Sequence, residues 1–266
     1  PEATALQPQQ LNYIEQYVDS FEYALNGPNF TDTSIGYAKY IDVNSFIDFY
    51  IINELSKNID GYRISTYMHK DKQSKGGKLN MGPFWDFNLA FGNADYCDGG
   101  VITGWEVDGG CGDNNPFWFE RLLDDTLYQN KLKCRWEYLR ERSFRQDSLF
   151  YFIDSVALYL DDAQQRNFQQ WPTLGTYVWP NYYVGNTYQD ELIFFKTWIG
   201  DRLVWLDNNI SGNCNEIFGI LNISNTQSQH LIKITDVLGR KTKGTINELL
   251  FYIYDDGTVE KRIIIE

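Results

Sequence analysis

The feature that most constrains this chain is a change of hydrophobic period near residues 211–220. Ahead of it, apolar residues recur at three- and four-residue steps; behind it, they alternate. Residues 7–26 place Leu11, Ile14, Val18, Phe21 and Leu25 at helical spacing, and Gly27-Pro28 stops the run. Asp42 reads as the N-cap of a second helix through about Leu55, with Phe46, Phe49, Tyr50 and Ile52 inward. Further helices are expected at about 116–141, 147–168 and 187–209, the last two capped by Asp147 and Thr187. After the second helix comes a hairpin-like unit, out along Arg63–Lys70 and back along Lys78–Trp85. A Gly- and Asp-rich stretch over 92–115 is too long to be a mere connection. From Ile217 the segments LIKITDVLG, ELLFYIYDDG and VEKRIIIE alternate, with Asp256-Gly257 as a two-residue hairpin turn. The patterns predict an α+β chain. A mostly helical domain with a β-hairpin spans 1–212, and a small β-sandwich-like tail spans 217–266.

Charge narrows the possible functions. Lys+Arg 23 against Asp+Glu 36 give a formal net charge of −13. Acids and bases balance in the tail, so the excess belongs to the helical domain. That sign repels polyanions, and nucleic acid is not an expected partner. No apolar run approaches the roughly 20 residues of a bilayer span. The longest is broken by Asn53 and Glu54, so no transmembrane segment is expected. The chain begins at Pro1, which points to a removed leader or to a piece of a longer protein. Its four cysteines form no CxxC, so zinc-site spacing is absent. Cys97 and Cys111 bracket a loop too polar to order itself, and a disulfide is expected there. Cys134–Cys214 would be the second pair, the alternative being buried free thiols. A bridge would place the protein in an oxidising compartment. The aromatic segment WPTLGTYVWPNYYVGN (171–186) either packs over the helices or stacks on glycans.

Few chemistries remain. His69 and His230 are the only histidines, which leaves no two-His metal site and no plausible Ser-His-Asp triad. Neither GxxxxGK[ST] nor GxGxxG occurs. Carboxylates are left. Asp60 follows the second helix, and Gly61 after it permits a tight turn. Asp86 ends the returning strand in MGPFWDFNLAFG, with Asn88 two residues on. A hairpin brings its outer ends together, so Asp60, Asp86 and the Asn88 amide would form a hard-oxygen set suited to Mg²⁺. The plain alternative is one turn Asp and one cap Asp. Asp95, Asp98, Asp108 and Asp113 make the 95–113 loop a candidate for Ca²⁺, although their spacing is not that of an EF-hand.

The run FIDFYIINELSKNIDGYRISTYMHKDKQSKGGKLNMGPFWDFNLAFG resembles the spore coat protein CotH family of atypical protein kinases. Asn58-Ile59-Asp60 matches one element of the family pattern. Phe84-Trp85-Asp86-Phe87-Asn88, followed by Phe91-Gly92, matches the other. The proline that directly precedes Trp-Asp in many members stands one position earlier, at Pro83. The second Asp of W-D-x-D is Asn88, which removes one carboxylate. The resemblance covers about residues 7–210 and implies a kinase C-lobe-like fold. It further implies metal-dependent phosphoryl transfer from ATP to Ser or Thr of surface or matrix proteins, with Mg²⁺ or Mn²⁺. Asp86 would bind the metal, with Asn88 as a neutral oxygen donor. Asp60 would act as base or as a further metal contact, and Asn58 and Arg63 would contact the nucleotide. Kinase-like folds bind nucleotide between two lobes, so an N-terminal lobe is expected ahead of the first helix. A non-catalytic adhesion or scaffold module keeping this fold is the alternative.

The tail, ITDVLGRKTKG…LLFYIYDDGTVEKRIIIE, resembles a type IX secretion C-terminal sorting domain. That resemblance implies the type IX machinery as a partner, passage through the periplasm, and a secreted or cell-surface location.

Overall fold

Asp42 closes the start of helix α2 (Val43–Ser56), its carboxylate accepting the Ser45 N–H at 2.8 Å. The helix is apolar around its circumference, the mark of a buried helix; Phe46, Ile47, Phe49, Tyr50, Ile51 and Leu55 are all buried. It ends at Lys57, whose left-handed backbone (φ 47°) returns its N–H to the Asn53 carbonyl. The computed structural model describes residues 6–109, 111–112, 115–215, 231–236, 239–242, 249–254 and 259–263. The chain divides into two compact units, 1–217 and 218–266.

In the first unit, α1 (Pro8–Asn26) starts with Pro at its first turn. Phe21 and Leu25 are fully buried, but Leu11 and Ile14 stay half exposed, so only the second half of the expected stripe joins the core. The expected helix over 116–141 is two helices, α3 (Trp118–Leu123) and α4 (Thr126–Arg140). Asp125 breaks them apart: its carboxylate caps α4 through the Leu127 N–H (2.9 Å) and accepts the Tyr37 hydroxyl (2.6 Å). The expected helix over 147–168 likewise divides at Leu160 into α5 (Gln146–Tyr159) and α6 (Asp161–Gln170). Asp147 is not its cap. Arg145 holds that position, and Asp147 pairs with it from the first turn. Helix α7 (Tyr188–Asn209) begins, as expected, with a Thr187/Asp190 capping box and sends Trp198, Ile199, Leu203 and Leu206 into the core.

Aromatic rings fill the space between α2 and α3. Phe119 stacks on Phe49 at 5.8 Å between centroids and takes Tyr62 edge-on at 5.1 Å. Each such ring buried contributes roughly 1.5–3 kcal/mol. Strands β1 (Met68–Lys70) and β2 (Leu79–Met81) pair antiparallel with His69 opposite Asn80, a shorter hairpin than expected. Residues 60–65 do not extend as a strand because the Asp60 carbonyl captures the N–H groups of both Ile64 (3.0 Å) and Ser65 (2.9 Å).

Both expected disulfides are present, Cys97–Cys111 and Cys134–Cys214, with Cα atoms 4.8 and 4.7 Å apart. In the second unit β3 (Leu231–Thr235), β4 (Leu249–Tyr254) and β5 (Val259–Ile263) form one antiparallel sheet in that order. The described residues there show this single sheet; His230 and Asp256-Gly257 lie outside them. Among the described residues no helix is long and apolar enough to cross a membrane.

The two bridges differ in the chain they close, with sequence separations of 14 and 80. By loop-closure entropy, removing Cys97–Cys111 as a Ser/Ser pair should cost roughly 3 kcal/mol and removing Cys134–Cys214 about 4.5 kcal/mol. Urea unfolding of the two double variants checks that order.

Candidate active site

The site grows from the C-terminal end of α2. Asn58 is buried, and its side-chain oxygen accepts the Asp60 N–H at 3.3 Å. Asp60 is half-buried and ion-paired with Arg63, Nη2 to Oδ1, at 2.8 Å. Gly61 is required for close approach: a Cβ there would lie 2.1 Å from the Asn53 side-chain oxygen. The Arg63 Nε is buried without a partner.

Asp86 arrives from the other side. It is exposed and sits at φ 66°, a left-handed conformation costing a non-Gly residue roughly 1–2 kcal/mol. Strain of this kind collects at functional sites. Buried Ser65 joins the two acidic residues. Its N–H donates to the Asp60 carbonyl at 2.9 Å, and its hydroxyl donates to the Asp86 carboxylate at 3.4 Å. Asn88 is exposed, with its carbonyl taken by the Asn93 amide at 2.7 Å. Asn58, Asp60 and Arg63 therefore cluster directly, and Asp86 reaches them through Ser65. The Phe91 N–H closes the turn back onto α2 at the Ser56 carbonyl (2.6 Å). Behind that turn a cavity of about 320 Å³ is lined by Phe87, Phe91, Asn93, Tyr183 and Phe194, among others. A larger cavity of about 400 Å³ between α2, α5 and α7 is lined by apolar side chains and Tyr188 and holds none of the acidic groups.

The backbone of residues 98–104 is held by cations of the protein itself. Buried Lys57 sends its ammonium to the carbonyls of Asp98 (2.9 Å), Val101 (3.0 Å) and Thr103 (2.7 Å). Arg202 donates to the carbonyls of Ile102 (2.7 Å) and Gly104 (2.8 Å) and, at 3.3 Å, to the Glu54 carboxylate. Glu54 accepts the N–H groups of Glu106 (2.9 Å) and Val107 (2.8 Å). The ligands expected for Ca²⁺ are not brought together among the described residues. Asp95 holds the Tyr177 hydroxyl, Asp98 offers its backbone to Lys57, and Asp113 lies outside the described residues. Among the described residues no group of three acidic, His or Cys side chains converges on a point. Glu54, Lys57, Ser65, Glu106 and Arg202 escape sequence reasoning. The one signal was Asn53-Glu54 interrupting an apolar run.

The donor set fits a Mg²⁺–nucleotide pair. Mg²⁺ is ordinarily held by one or two carboxylates together with substrate phosphates, not by an all-protein cage. Asp86 carries one long hydrogen bond, Asp60 has one oxygen outside its ion pair, and Asn88 adds a neutral oxygen.

Residues 1–206 match the model of the family described as CotH kinase protein. This chain belongs to the CotH kinase protein family. None of the curated proteins and none of the solved structures matches it. The CotH match includes Asn58, Asp60, Asp86 and Asn88 and ends ahead of the tail sheet.

Glu106 adds a pH-sensitive element to the CotH domain. Burial, and then Glu54, push its carboxyl from the ordinary 4.5 up to about 7, against Lys57, Arg202 and Arg63. One of its carboxylate oxygens is buried without a partner. A raised carboxyl favours the folded state while protonated, so this contribution is complete below pH 4.5 and lost as pH rises through 7. Glu106→Gln should therefore gain roughly 3 kcal/mol of stability over wild type at pH 8 and little at pH 4.5. Urea denaturation at the two pH values measures it.

Proposed function

We propose that this CotH protein transfers a phosphoryl group from Mg·ATP to a Ser or Thr hydroxyl of a protein outside the cytoplasm. The observation that carries the reading is that Ser65 bonds both the Asp60 backbone carbonyl and the Asp86 carboxylate, within the stretch matched by the family. Phosphoryl transfer asks a protein for positioning and charge neutralisation more than for covalent chemistry. Asp86 and Asn88 would hold Mg²⁺, or Mn²⁺, which when bound neutralises charge on the phosphates. Asp60 would accept the proton of the acceptor hydroxyl, oriented by its Arg63 ion pair and by the Asn58 side chain. Asn58 and Arg63, both bonded to Asp60, would also contact the nucleotide.

Label transfer from radiolabelled Mg·ATP, followed in the natural gene product, tests the reading. Asp86→Asn should abolish it. Asp60→Asn should slow it by about 10²–10⁴-fold. Asp86 is exposed, so that substitution leaves the core alone. Full turnover in Asp86→Asn would overturn the assignment. A folded wild type without any turnover would leave the scaffold reading, which Asn88 in place of a second Asp favours.

The two disulfides fit an exported protein. We further propose that the tail addresses the chain to a type IX secretion machinery, which would carry it from periplasm to cell surface. A chain ending at residue 215 should then stay in the periplasm of a cell with that machinery. Fractionation that finds the shortened chain on the surface would sink the idea.

A further inference from the structure

The segment 171–186 is pinned along its length yet turns large rings outward. The Tyr182 N–H donates to the Asn93 carbonyl at 2.7 Å and the Asp95 N–H to the Pro180 carbonyl at 2.9 Å, beside an antiparallel bridge of Ala94 with Asn181. The Gly185 N–H donates to the Glu191 carboxylate at 2.6 Å. Tyr183 stacks on Phe194 with centroids 4.3 Å apart. The Tyr182 ring covers Gly100, where a Cβ would come within 2.3 Å. Against this backing Trp179 is 68% exposed and Tyr177 54%. Burying a large apolar side chain is worth roughly 1.5–3 kcal/mol, and here an ordered segment leaves that gain unused. Exposed apolar surface held rigidly at the rim of a candidate site is characteristic of a binding surface, already organised before the ligand arrives.

The chemistry of the patch selects the ligand. Trp179 lies nearly parallel to Tyr96, 13° between planes and 5.9 Å between centroids, and the Tyr177 hydroxyl is held by the Asp95 carboxylate. Flat apolar faces edged by a carboxylate and a phenol suit a ligand with an apolar C–H face ringed by hydroxyls. A net charge of −13 disfavours nucleic acids and sulfated or uronate polysaccharides. Tyr96 ties the patch to the acidic site: its carbonyl accepts the Gly99 N–H at 3.1 Å, and a Cβ on Gly99 would lie 3.1 Å from the side chain of Ile59, the neighbour of Asp60. Burial and then the Asp60 carboxylate raise the Tyr96 phenol. We propose that Tyr96, Tyr177 and Trp179, with Asp95 at their edge, form a subsite for a neutral glycan chain beside the Asp60–Asp86 site. This subsite goes beyond the phosphoryl-transfer reading and does not depend on it, because it is read without ATP.

The experiment titrates the whole chain with cellohexaose, xylohexaose and mannohexaose, following tryptophan fluorescence and heat. Saturable binding of at least one is expected. Trp179→Ala should weaken it roughly tenfold or more, with circular dichroism unchanged because the indole is outside the core. Tyr151→Ala, an equally exposed ring on α5, should bind as wild type does. Absence of binding to all three, or wild-type binding by Trp179→Ala, overturns the proposal. Preference for heparin or polygalacturonate overturns the neutral class. Saturable binding of gelatin with no glycan bound would assign the patch to a polypeptide and overturn it as well.

Discussion

The ion pair of Glu54 with Arg202 is the interaction on which the rest of the first unit depends. Both side chains are sealed from water, and taking two charges out of water costs several kcal/mol per ion. The offset lies in hydrogen bonds around the pair. Arg202 donates to the carbonyls of Glu54, Ile102 and Gly104, while Glu54 accepts two backbone N–H groups and the Tyr62 hydroxyl. Burial still dominates: it holds the Glu54 carboxyl above its ordinary range and the Arg202 guanidinium below. Removing either partner would strand a charge, which is far costlier than replacing both. The pair thus joins α2, α7 and the 102–107 backbone into one arrangement.

That arrangement places the acidic site. The 92–115 stretch has little apolar content of its own, so the path of residues 98–107 is set by where Lys57, Arg202 and Glu54 bind their backbone. Trp198 adds a further tie, its indole N–H donating to the Gly100 carbonyl at 2.9 Å. Gly92, at φ 82°, is the price of that closeness, since a Cβ there would come within 2.5 Å of the Trp198 ring. With the loop held, the Asp86–Phe91 turn is anchored at Phe91 to Ser56, and Asn93 and Asp95, which follow it, join the aromatic segment. Asp86 keeps its open face because strand pairing stops at Met81, five residues before it.

Local signals that act over a few residues were legible. Asp42 and Thr187 cap the helices they precede, and the helical spacing locates α1, α2 and α7. Asp60 and Asp86 stood out because hairpin ends converge. The breaks at Asp125 and Leu160 were not legible. Asp125 leaves the helix partly because Tyr37, distant by 88 positions, supplies a hydroxyl to its carboxylate. The RISTYMHK stretch has strand composition, yet the Asp60 carbonyl coils its start into a turn. That turn is what brings Ser65 to Asp86.

By itself the sequence determined the two-part α+β organisation, the helices capped by Asp42 and Thr187, and the acidic pair in its family motif, and it raised the expectation of a Cys97–Cys111 bridge. Each rests on period, spacing or residue type within one stretch of chain. Only the tertiary structure decided which charged residues are buried and what they hold. Lys57 and Arg202 read as ordinary helix charges, and their partners are backbone carbonyls from 41 to 148 positions away. Every residue but proline carries the same N–H and C=O, so the sequence does not mark which backbone groups a buried cation will find. That choice is made when α2 and α7 pack together and leave the loop between them one set of carbonyls to present.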